Sequence, residues 1–357
     1  MKKHNFSAGP SILPEIAYQN AAKAILDFNG TGLSILSISH RTKDFEAVLD
    51  SAQALMRELL NIPENYHIYF VGGGASTQFF HIPANFLGKK AGYVDTGVWT
   101  KKAIKEAKLY GDVEVVASSA DKTYSYIPKT TAADFDPDAD YVHICMNNTI
   151  YGTKYAELPD TGDVPLIADI SSCILSEPID VSKFGMLYAG AQKNVAPAGV
   201  TIVIIRKDLI GNAMDITPTM LKYKTQADND SLYNTPPCYG IYICGKVFKW
   251  IKKMGGLEAM KAINEKKAAI LYDFLDNSKM FKGTVVPEDR SLMNVPFVTD
   301  SEELNAKFIK EAKEAGFVNL KGHRTVGGMR ASIYNAMPIE GVEKLVEFMK
   351  KFEEANS

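Results

Sequence analysis

The sequence has little cysteine, little tryptophan and no long apolar run, and its charges nearly cancel. Its 357 residues include four cysteines, two tryptophans and six histidines. The 40 basic and 42 acidic residues give a formal charge of −2, which argues against a nucleic-acid-binding protein, because such a protein needs a basic face. A membrane span needs about 20 apolar residues, and runs such as Val200–Ile205 are far shorter. We therefore expect neither nucleic acid nor a membrane as partner.

The scarce cysteines and histidines show no metal-binding or disulfide pattern. The cysteines, at positions 145, 173, 238 and 244, form no Cys-x-x-Cys pair, and the histidines have no zinc-site spacing. The first six residues carry two lysines but no apolar segment typical of a signal peptide. These observations predict a cytoplasmic protein with free thiols and no bound metal.

Strand-like and helix-like segments alternate through the first two-thirds of the chain. Residues 43–60 place apolar side chains at three- and four-residue steps, which predicts an amphipathic helix. Strand-like runs occur at 67–71, 91–95, 113–116, 141–145, 165–168, 186–189 and 200–205. Further helices are expected over 78–86 and 98–109. The alternation predicts an α/β fold with a mostly parallel sheet.

The last hundred residues have a different pattern, typical of a smaller α+β domain. A helix is predicted over 257–276, strands over 283–286, 293–298 and 329–333, and a terminal helix from Pro338. Thr299–Glu302 has the spacing of a capping box that begins another helix, which ends near Gly316. We expect a large domain over 16–257 and a small domain over 258–357, joined by an N-terminal segment over 1–15.

Lys193 and Asp169 are the first candidates for chemistry. Lys193 lies among small residues between two strand-like runs, where confinement would lower the pKa of its amine and suit it to Schiff-base formation. Asp169 ends an apolar run, and ligands of parallel sheets bind beyond the carboxyl ends of strands. Taken alone, Asp169 is as well explained as a helix cap. Together the two residues suggest pyridoxal phosphate (PLP), whose ring nitrogen the carboxylate would keep protonated.

A glycine-rich turn, Gly72–Thr77, follows a predicted strand and precedes a predicted helix. Its backbone N–H groups could hold a phosphate, with hydroxyls from Ser76 and Thr77. A dinucleotide site is the alternative, because Asp95 lies 23 residues after Gly72, close to the spacing of a ribose-binding acid. That alternative is weakened because some 65 residues precede what should be the first βαβ unit.

Arginine is scarce relative to lysine, and two of the six arginines directly follow a histidine, as His40-Arg41 and His323-Arg324. Together with Arg330, these pairs would bind a polyanion if the fold brings them together. Separate surface ion pairs would explain them equally well. Trp99 could stack on a cofactor ring or anchor the core.

At these residues the chain resembles the phosphoserine aminotransferases, a family of class V, fold-type I PLP enzymes. The resemblance covers nearly the whole chain and keeps the family's order. It rests on segments 5–10, 38–41, 72–77, 148–152, 168–172, 191–194, 233–237 and 322–337. It implies an α/β fold with a large PLP-binding domain and a smaller C-terminal domain.

The resemblance also implies cofactor contacts. Lys193 would form the Schiff base, Asp169 would pair with the pyridine nitrogen, Trp99 would stack on the ring and Thr149 would contact the ring oxygen. The phosphate contacts implied within one subunit are Ala75, Ser76 and Gln192. Asn234 and Thr235 would reach the cofactor phosphate of the neighbouring subunit, which makes the active enzyme a homodimer.

The implied reaction is amino transfer from L-glutamate to 3-phosphohydroxypyruvate in serine biosynthesis. Arg330 would hold the substrate α-carboxylate, and His40, Arg41, His323 and Arg324 would surround the distal anion. The family also acts on a phosphorylated four-carbon keto acid in pyridoxine biosynthesis, giving 4-phosphohydroxy-L-threonine. The alternatives are another class V PLP enzyme, an NAD-dependent oxidoreductase at the Gly72 turn, and a non-catalytic protein with a PLP-like pocket.

Overall fold

The computed structural model describes residues 3–356. The α-helices of this part of the chain are α1 (Glu15–Leu26), α2 (Lys43–Leu59), α3 (Ala75–Phe86), α4 (Val98–Ala107), α5 (Tyr223–Asp228), α6 (Cys238–Lys253), α7 (Gly256–Asn277), α8 (Glu302–Glu314) and α9 (Ile339–Asn356). The strands are β1 (His4–Asn5), β2 (Tyr66–Gly72), β3 (Lys90–Asp95), β4 (Asp112–Ser118), β5 (Tyr141–Cys145), β6 (Leu166–Asp169), β7 (Met186–Gly190), β8 (Val200–Arg206), β9 (Lys282–Gly283), β10 (Asn294–Val298), β11 (Phe317–Val318) and β12 (Met329–Ser332).

A seven-stranded sheet forms the larger part of the molecule, with strand order β2-β8-β7-β6-β5-β3-β4. The pairs from β7 to β4 are all parallel, whereas β8 runs antiparallel to both β7 and β2. Strands β5, β6 and β7 are buried along their whole length, as expected for a parallel sheet covered on both faces. The predicted α/β fold with a mostly parallel sheet is confirmed.

Local sequence explains how the helices that cover this sheet begin and which face they bury. In α2, the Thr42 side chain accepts a hydrogen bond from the N–H of Phe45, which caps the helix. Phe45, Leu49, Ala52 and Met56 then point into the core at three- and four-residue intervals. The helix predicted over 43–60 is therefore confirmed to within one residue.

The hydrophobic core consists of clusters around two sheets. Two clusters cover the two faces of the seven-stranded sheet, and we call them together the sheet cluster. The C-terminal cluster surrounds the three-stranded antiparallel sheet β12-β10-β9. Helix α7 runs through both, since Met260 belongs to the sheet cluster and Ala268 to the C-terminal cluster. These separate cores support the two-domain division at 257/258, which stays a prediction.

The N-terminal segment joins the two parts of the molecule. His4 and Asn5 of β1 pair in parallel with Phe317 and Val318 of β11. Farther along, the Ser11 N–H donates to the carbonyl of Gln192 at 2.9 Å. The segment predicted as 1–15 therefore touches both the C-terminal part and the turn between β7 and β8, although residues 1 and 2 lie outside the described range.

Two local predictions are wrong. The strand expected over 283–286 is only the two residues of β9, because Val286 leads into a 3-10 turn at Pro287–Asp289 and its N–H donates to the carbonyl of Ser125. The cap of α8 is Ser301 rather than Thr299, since the Ser301 hydroxyl accepts from the N–H of Leu304.

None of the helices in residues 3–356 combines the length and apolar character that crossing a membrane requires.

Candidate active site

The carboxyl ends of the central strands bring the two principal candidates to one place. Asp169 is the last residue of β6, and its register partners are Cys145 on β5 and Tyr188 on β7. Lys193 lies three residues after β7 in the turn that leads to β8. Because the parallel strands end at the same edge of the sheet, the side chains of Asp169 and Lys193 line one cavity.

The Lys193 amine is buried and has a hydroxyl partner. Its side chain is 8% exposed, and Nζ donates to Thr149 Oγ1 at 2.5 Å. Burial lowers the pKa of Lys193, and the negative charge of Asp169 opposes that shift. The amine therefore has a larger neutral fraction near pH 7 than an exposed lysine has.

The N-terminal segment covers this lysine. A Cβ added at Gly9, whose φ is +144°, would lie 3.3 Å from Lys193 Cγ. The Ser11 hydroxyl donates to the backbone carbonyl of Lys193. Sequence reasoning did not assign Gly9 or Ser11 a place at the site, and a contact across more than 180 residues leaves no local signal.

The Asp169 carboxylate is a buried acid at the bottom of the cavity. It is 6% exposed, and its Oδ1 accepts the N–H of Ser171 at 2.9 Å. Burial raises the pKa of Asp169, while the charge of Lys193 and the hydrogen bonds from Ser171 lower it. A cationic or N–H-bearing group placed against this carboxylate would favour its ionised form.

Seven of the nine predicted cofactor residues line this cavity: Ala75, Ser76, Trp99, Thr149, Asp169, Gln192 and Lys193. Ala75 and Ser76 are the first residues of α3, so the N-terminal end of that helix faces the cavity. The preceding turn needs glycine, because Gly73 has a φ of +109° and a Cβ there would lie 2.6 Å from Thr77 Cγ2. The wall is suited to an anion such as a phosphate.

Trp99 is the second residue of α4 and forms another wall. Its ring centroid lies 5.9 Å from Lys193 Nζ and 4.6 Å from Lys102 Nζ. The Trp99 Nε1 atom is buried and has no hydrogen-bond partner within residues 3–356. A buried donor without an acceptor marks a position where a bound group can supply one.

Asn234 and Thr235 are placed differently. They are exposed and line a second cavity, together with Gly72, Gly73 and Thr77 on the other side of the glycine turn. In the single chain they are not part of the lining that contains Lys193. Their predicted role across a subunit interface is compatible with this position and stays a prediction.

Arg330 lies on β12 and reaches the site from the C-terminal part of the chain. Its Nη1 donates to the carbonyl of Thr149 at 3.0 Å, and Thr149 is also the partner of Lys193. The His323 side chain contacts the hydroxyl of Thr325 at 2.8 Å. Burial lowers the pKa of His323, and the positive charges of Arg330, Arg324 and Lys102 lower it further. The structure thus gathers a group of cations beside the cavity.

Lys102 is a member of this group that sequence reasoning missed. It lies three residues after Trp99 on α4, a spacing that places both side chains on one helix face and could have revealed it. His40 and Arg41 are not part of the group within residues 3–356. They precede α2, where Arg41 Nε donates to His40 Nε2 at 3.2 Å, and the cavity lining includes neither.

The dinucleotide alternative does not fit this geometry. The strand before the glycine turn, β2, pairs with β8 in the antiparallel direction, whereas a dinucleotide-binding βαβ unit needs a parallel strand. The Asp95 carboxylate is already used locally, since it accepts hydrogen bonds from the hydroxyls of Thr100, Ser118 and Tyr124. The geometry therefore argues against the alternative of an NAD site, and PLP remains the predicted cofactor.

Comparisons with known proteins identify the class of enzyme that this fold and site define. The model of the class V aminotransferases (Aminotransferase class-V) matches residues 3–345. A curated phosphoserine aminotransferase from Bacillus cereus (strain ZK / E33L) is 55% identical over 355 residues, which are 99% of each chain. The chain is therefore a class V aminotransferase, and it belongs to the phosphoserine aminotransferase family.

Solved structures agree with this assignment. The phosphoserine aminotransferase from Bacillus circulans subsp. alkalophilus superposes with a TM-score of 0.97 at 48% identity, covering 100% of this chain and 99% of that one. The phosphoserine aminotransferase from Trichomonas vaginalis, solved with PLP bound, gives 0.93 at 39% identity, covering 98% and 100%. The resemblance found in the sequence is confirmed.

Proposed function

We propose that this chain catalyses the reversible transfer of the amino group of L-glutamate to 3-phosphohydroxypyruvate. The products are O-phospho-L-serine and 2-oxoglutarate, which makes the reaction a step of serine biosynthesis. The observation that carries the proposal is the buried amine of Lys193 in a cavity that it shares with the Asp169 carboxylate. The identity of 55% over nearly the full length to a phosphoserine aminotransferase supports the choice of substrates.

The cavity has the groups that PLP requires. Lys193 would bond to the cofactor aldehyde, Asp169 would hold the proton of its pyridine nitrogen, and the indole of Trp99 would lie against its ring. The N-terminal end of α3, with Ala75 and Ser76, would bind its phosphate together with Gln192. When bound, PLP supplies a conjugated ring that withdraws the electrons left at the substrate α-carbon.

Lys193 would carry one proton between the substrate α-carbon and the cofactor. Lys193 Nζ would take the proton from the substrate α-carbon and would pass it to the cofactor carbon that bears the amino nitrogen; in the second half of the reaction the proton would travel back the same way. Burial lowers the pKa of Lys193, which favours the neutral amine that must accept the proton. The Thr149 hydroxyl accepts a hydrogen bond from this amine and fixes its direction.

The cationic group selects substrates with an anion at each end. Arg330 would hold the α-carboxylate. Its Nη1 donates to the carbonyl of Thr149, and its other guanidinium N–H groups can donate to a carboxylate. His323 and Arg324 would bind the distal anion, which is a carboxylate in glutamate and a phosphate in the keto acid. Arginine and histidine suit this double use because their N–H groups fit either oxyanion.

The proposal includes a homodimer in the cytoplasm. Asn234 and Thr235 would contact the cofactor phosphate of the other subunit, and His40 and Arg41 would help to surround the distal anion. The exposure of Asn234 and Thr235 on the single chain supports a place at an interface. The phosphorylated four-carbon keto acid of pyridoxine biosynthesis is a second substrate under this proposal, since it presents the same two anions.

The first experiment is the visible absorption spectrum of the purified protein before and after addition of L-glutamate. We expect a yellow protein whose band shifts towards the ultraviolet with glutamate and returns when 3-phosphohydroxypyruvate is added. A protein that stays colourless after incubation with PLP contradicts the role of Lys193. Return of the band with pyruvate but not with the phosphorylated keto acid contradicts the proposed substrate.

Subunit complementation tests the shared site. Lys193→Ala and the double variant Asn234→Ala/Thr235→Ala should each be inactive as homodimers, because each lacks one half of every site. After the two are mixed and allowed to exchange subunits, half of the dimers are mixed and each holds one complete site. Activity should then return to about a quarter of the wild-type value. No recovery, with exchange verified by mass, contradicts a site formed by both subunits.

A further inference from the structure

A buried lysine lies outside the candidate active site, between the two hydrophobic cores. Lys267 is on α7 and its exposed fraction is 0%. It follows Met260 of the sheet cluster and directly precedes Ala268 of the C-terminal cluster. Burying an amine costs free energy unless polar groups surround it. The contacts of Lys267 therefore show what the residue does.

Three consecutive backbone carbonyls surround the amine. Lys267 Nζ donates to the carbonyl oxygens of Ile333 at 2.9 Å, Tyr334 at 2.7 Å and Asn335 at 3.4 Å. A protonated lysine has three N–H donors, which matches these three acceptors. The three carbonyls directly follow β12, so Lys267 fixes the path of the chain just beyond the strand that carries Arg330.

Residues 333–335 are also hydrogen-bonded to the turn that carries Lys193. The Asn335 N–H donates to Asn194 Oδ1 at 3.0 Å, and Asn194 directly follows Lys193. Asn194 Nδ2 in turn donates to the carbonyl of Ile174 at 3.0 Å. The side chain of Asn335 donates to the carbonyl of Leu175 at 2.8 Å. These bonds join the segment after β12 to the loops at the carboxyl edge of the large sheet.

Asn264, one helical turn before Lys267, completes the network. Its Nδ2 donates to Asn335 Oδ1 at 2.9 Å and to the carbonyl of Ser176 at 2.9 Å. Both Asn264 and Lys267 have an exposed fraction of 0%. Helix α7 therefore holds the 333–335 segment through two buried polar side chains, at the point where the helix passes from one core to the other.

We propose that Lys267 is a positioning residue that sets the placement of Lys193 relative to Arg330. It acts through the backbone of 333–335 and through Asn194, and it touches neither substrate nor cofactor. Its role rests on the proposed function, because only in a transaminase must the amine of Lys193 and the carboxylate-binding Arg330 meet one substrate. The contact of Arg330 with Thr149, the partner of Lys193, shows that the two residues already share one neighbour.

The test compares Lys267→Met, which keeps the length of the side chain but has no donor, with Lys267→Gln, which keeps two N–H donors. Lys266→Met is the matched control, since Lys266 is the adjacent residue on α7 and is exposed. For each holoenzyme, kcat and the KM for L-glutamate are measured per folded protein. For the same full chains freed of cofactor, the rate at which PLP attaches to Lys193 is measured by borohydride trapping and peptide mass spectrometry.

We expect Lys267→Met to lower kcat at least tenfold and to slow PLP attachment to Lys193 at least fivefold, with Lys267→Gln between it and wild type. The KM for L-glutamate should rise severalfold as Arg330 moves. Lys266→Met should match wild type in all three measurements. A folded Lys267→Met or Lys267→Gln that matches Lys266→Met shows that Lys267 is structural only and overturns the proposal.

A double-mutant cycle keeps the test valid if Lys267→Met does not fold. Lys267→Gln is then combined with Asn194→Ala, which removes the link to the Lys193 turn. If Lys267 acts through Asn194, its substitution should change the attachment rate less than twofold in the Asn194→Ala background. Equal effects in both backgrounds overturn the proposal. Failure of wild-type Lys193 to take up PLP would instead contradict the proposed function itself.

Discussion

The two lysines that are buried within residues 3–356 have opposite surroundings. Lys193 borders a cavity and has a single hydroxyl partner for its amine, whereas Lys267 is sealed from solvent and donates to three carbonyls. Burial lowers the pKa of both amines, that of Lys267 to about 7. What separates them is the number of acceptors, because an amine with one partner can still react, while an amine with three is held in place.

The largest expected effect is that of Lys193→Ala, which removes the reactive member of the pair. Transamination should fall by a factor of at least about 10⁴, because both the covalent attachment of PLP and the proton transfer are lost. The free energy of unfolding should change little, since one hydrogen-bond partner of the amine, Thr149, is found in the part of the chain that the structure describes. Stopped assays with L-glutamate measure the first quantity, and urea titration measures the second. Near-normal turnover would end the hypothesis.

Arg324→Ala tests whether the site that contains Lys193 recognises the distal anion of its substrate. We expect kcat/KM for 3-phosphohydroxypyruvate to fall about 10- to 1000-fold, equivalent to about 1.5–4 kcal/mol. Pyruvate, which lacks the distal anion, should be affected less than threefold when it replaces the phosphorylated acceptor. Arg206→Ala is the control, because Arg206 is the last residue of β8, pairs with Asp208 and does not line the Lys193 cavity. An unchanged kcat/KM removes Arg324 from the site.

Lys267→Met should also lower the stability of the fold, in addition to its effect on turnover. Three buried carbonyls would lose their donor, which we expect to lower the free energy of unfolding by about 3 kcal/mol. Lys266→Met should stay within about 0.5 kcal/mol of wild type, as is usual for exposed positions. Urea titration of the holoenzymes measures both. A loss below about 1 kcal/mol for Lys267→Met would mean that water reaches the carbonyls and that the two lysines differ less than their surroundings indicate.

The smallest effect is the pH dependence of PLP attachment to Lys193. Only the neutral amine attacks the aldehyde, so the rate should rise with pH and level off above the pKa of Lys193. Because burial lowers that pKa, the midpoint should lie below that of an exposed lysine. A lysine amide in the same buffer, treated identically, corrects for the ionisation of PLP itself. A midpoint equal to that of the amide would mean that Asp169 fully offsets the burial of Lys193.

The reactive lysine was predictable from the sequence, and the sequence also contains a signal for the burial of the other. Lys193 and Asp169 follow strand-like runs, and the carboxyl ends of neighbouring parallel strands must lie close together. Lys267 resembles Lys266 in the sequence. Its position on the stripe of Leu257, Met260 and Leu271 at three- and four-residue steps was nevertheless a signal of burial.

Other parts of the site depend on contacts that no local pattern encodes. The cover over Lys193 comes from Gly9 and Ser11, more than 180 residues away, and the approach of Arg330 to Thr149 spans 181 positions. The fold class was predictable because strand and helix periodicity repeats along the chain. The cap of α8 was misplaced because Thr299, Ser301 and Glu302 offer two overlapping cap patterns, and only packing decides between them.

The pairing of β1 with β11 also has a consequence for the order in which the chain can assemble during synthesis. His4 and Asn5 are made before their partners Phe317 and Val318, which follow more than 300 residues later. The segment with Gly9 and Ser11 is attached to that pairing, so the cover over Lys193 is not held at both ends until Phe317 and Val318 have emerged. Residues 4–11 are thus made long before the partners that fix them.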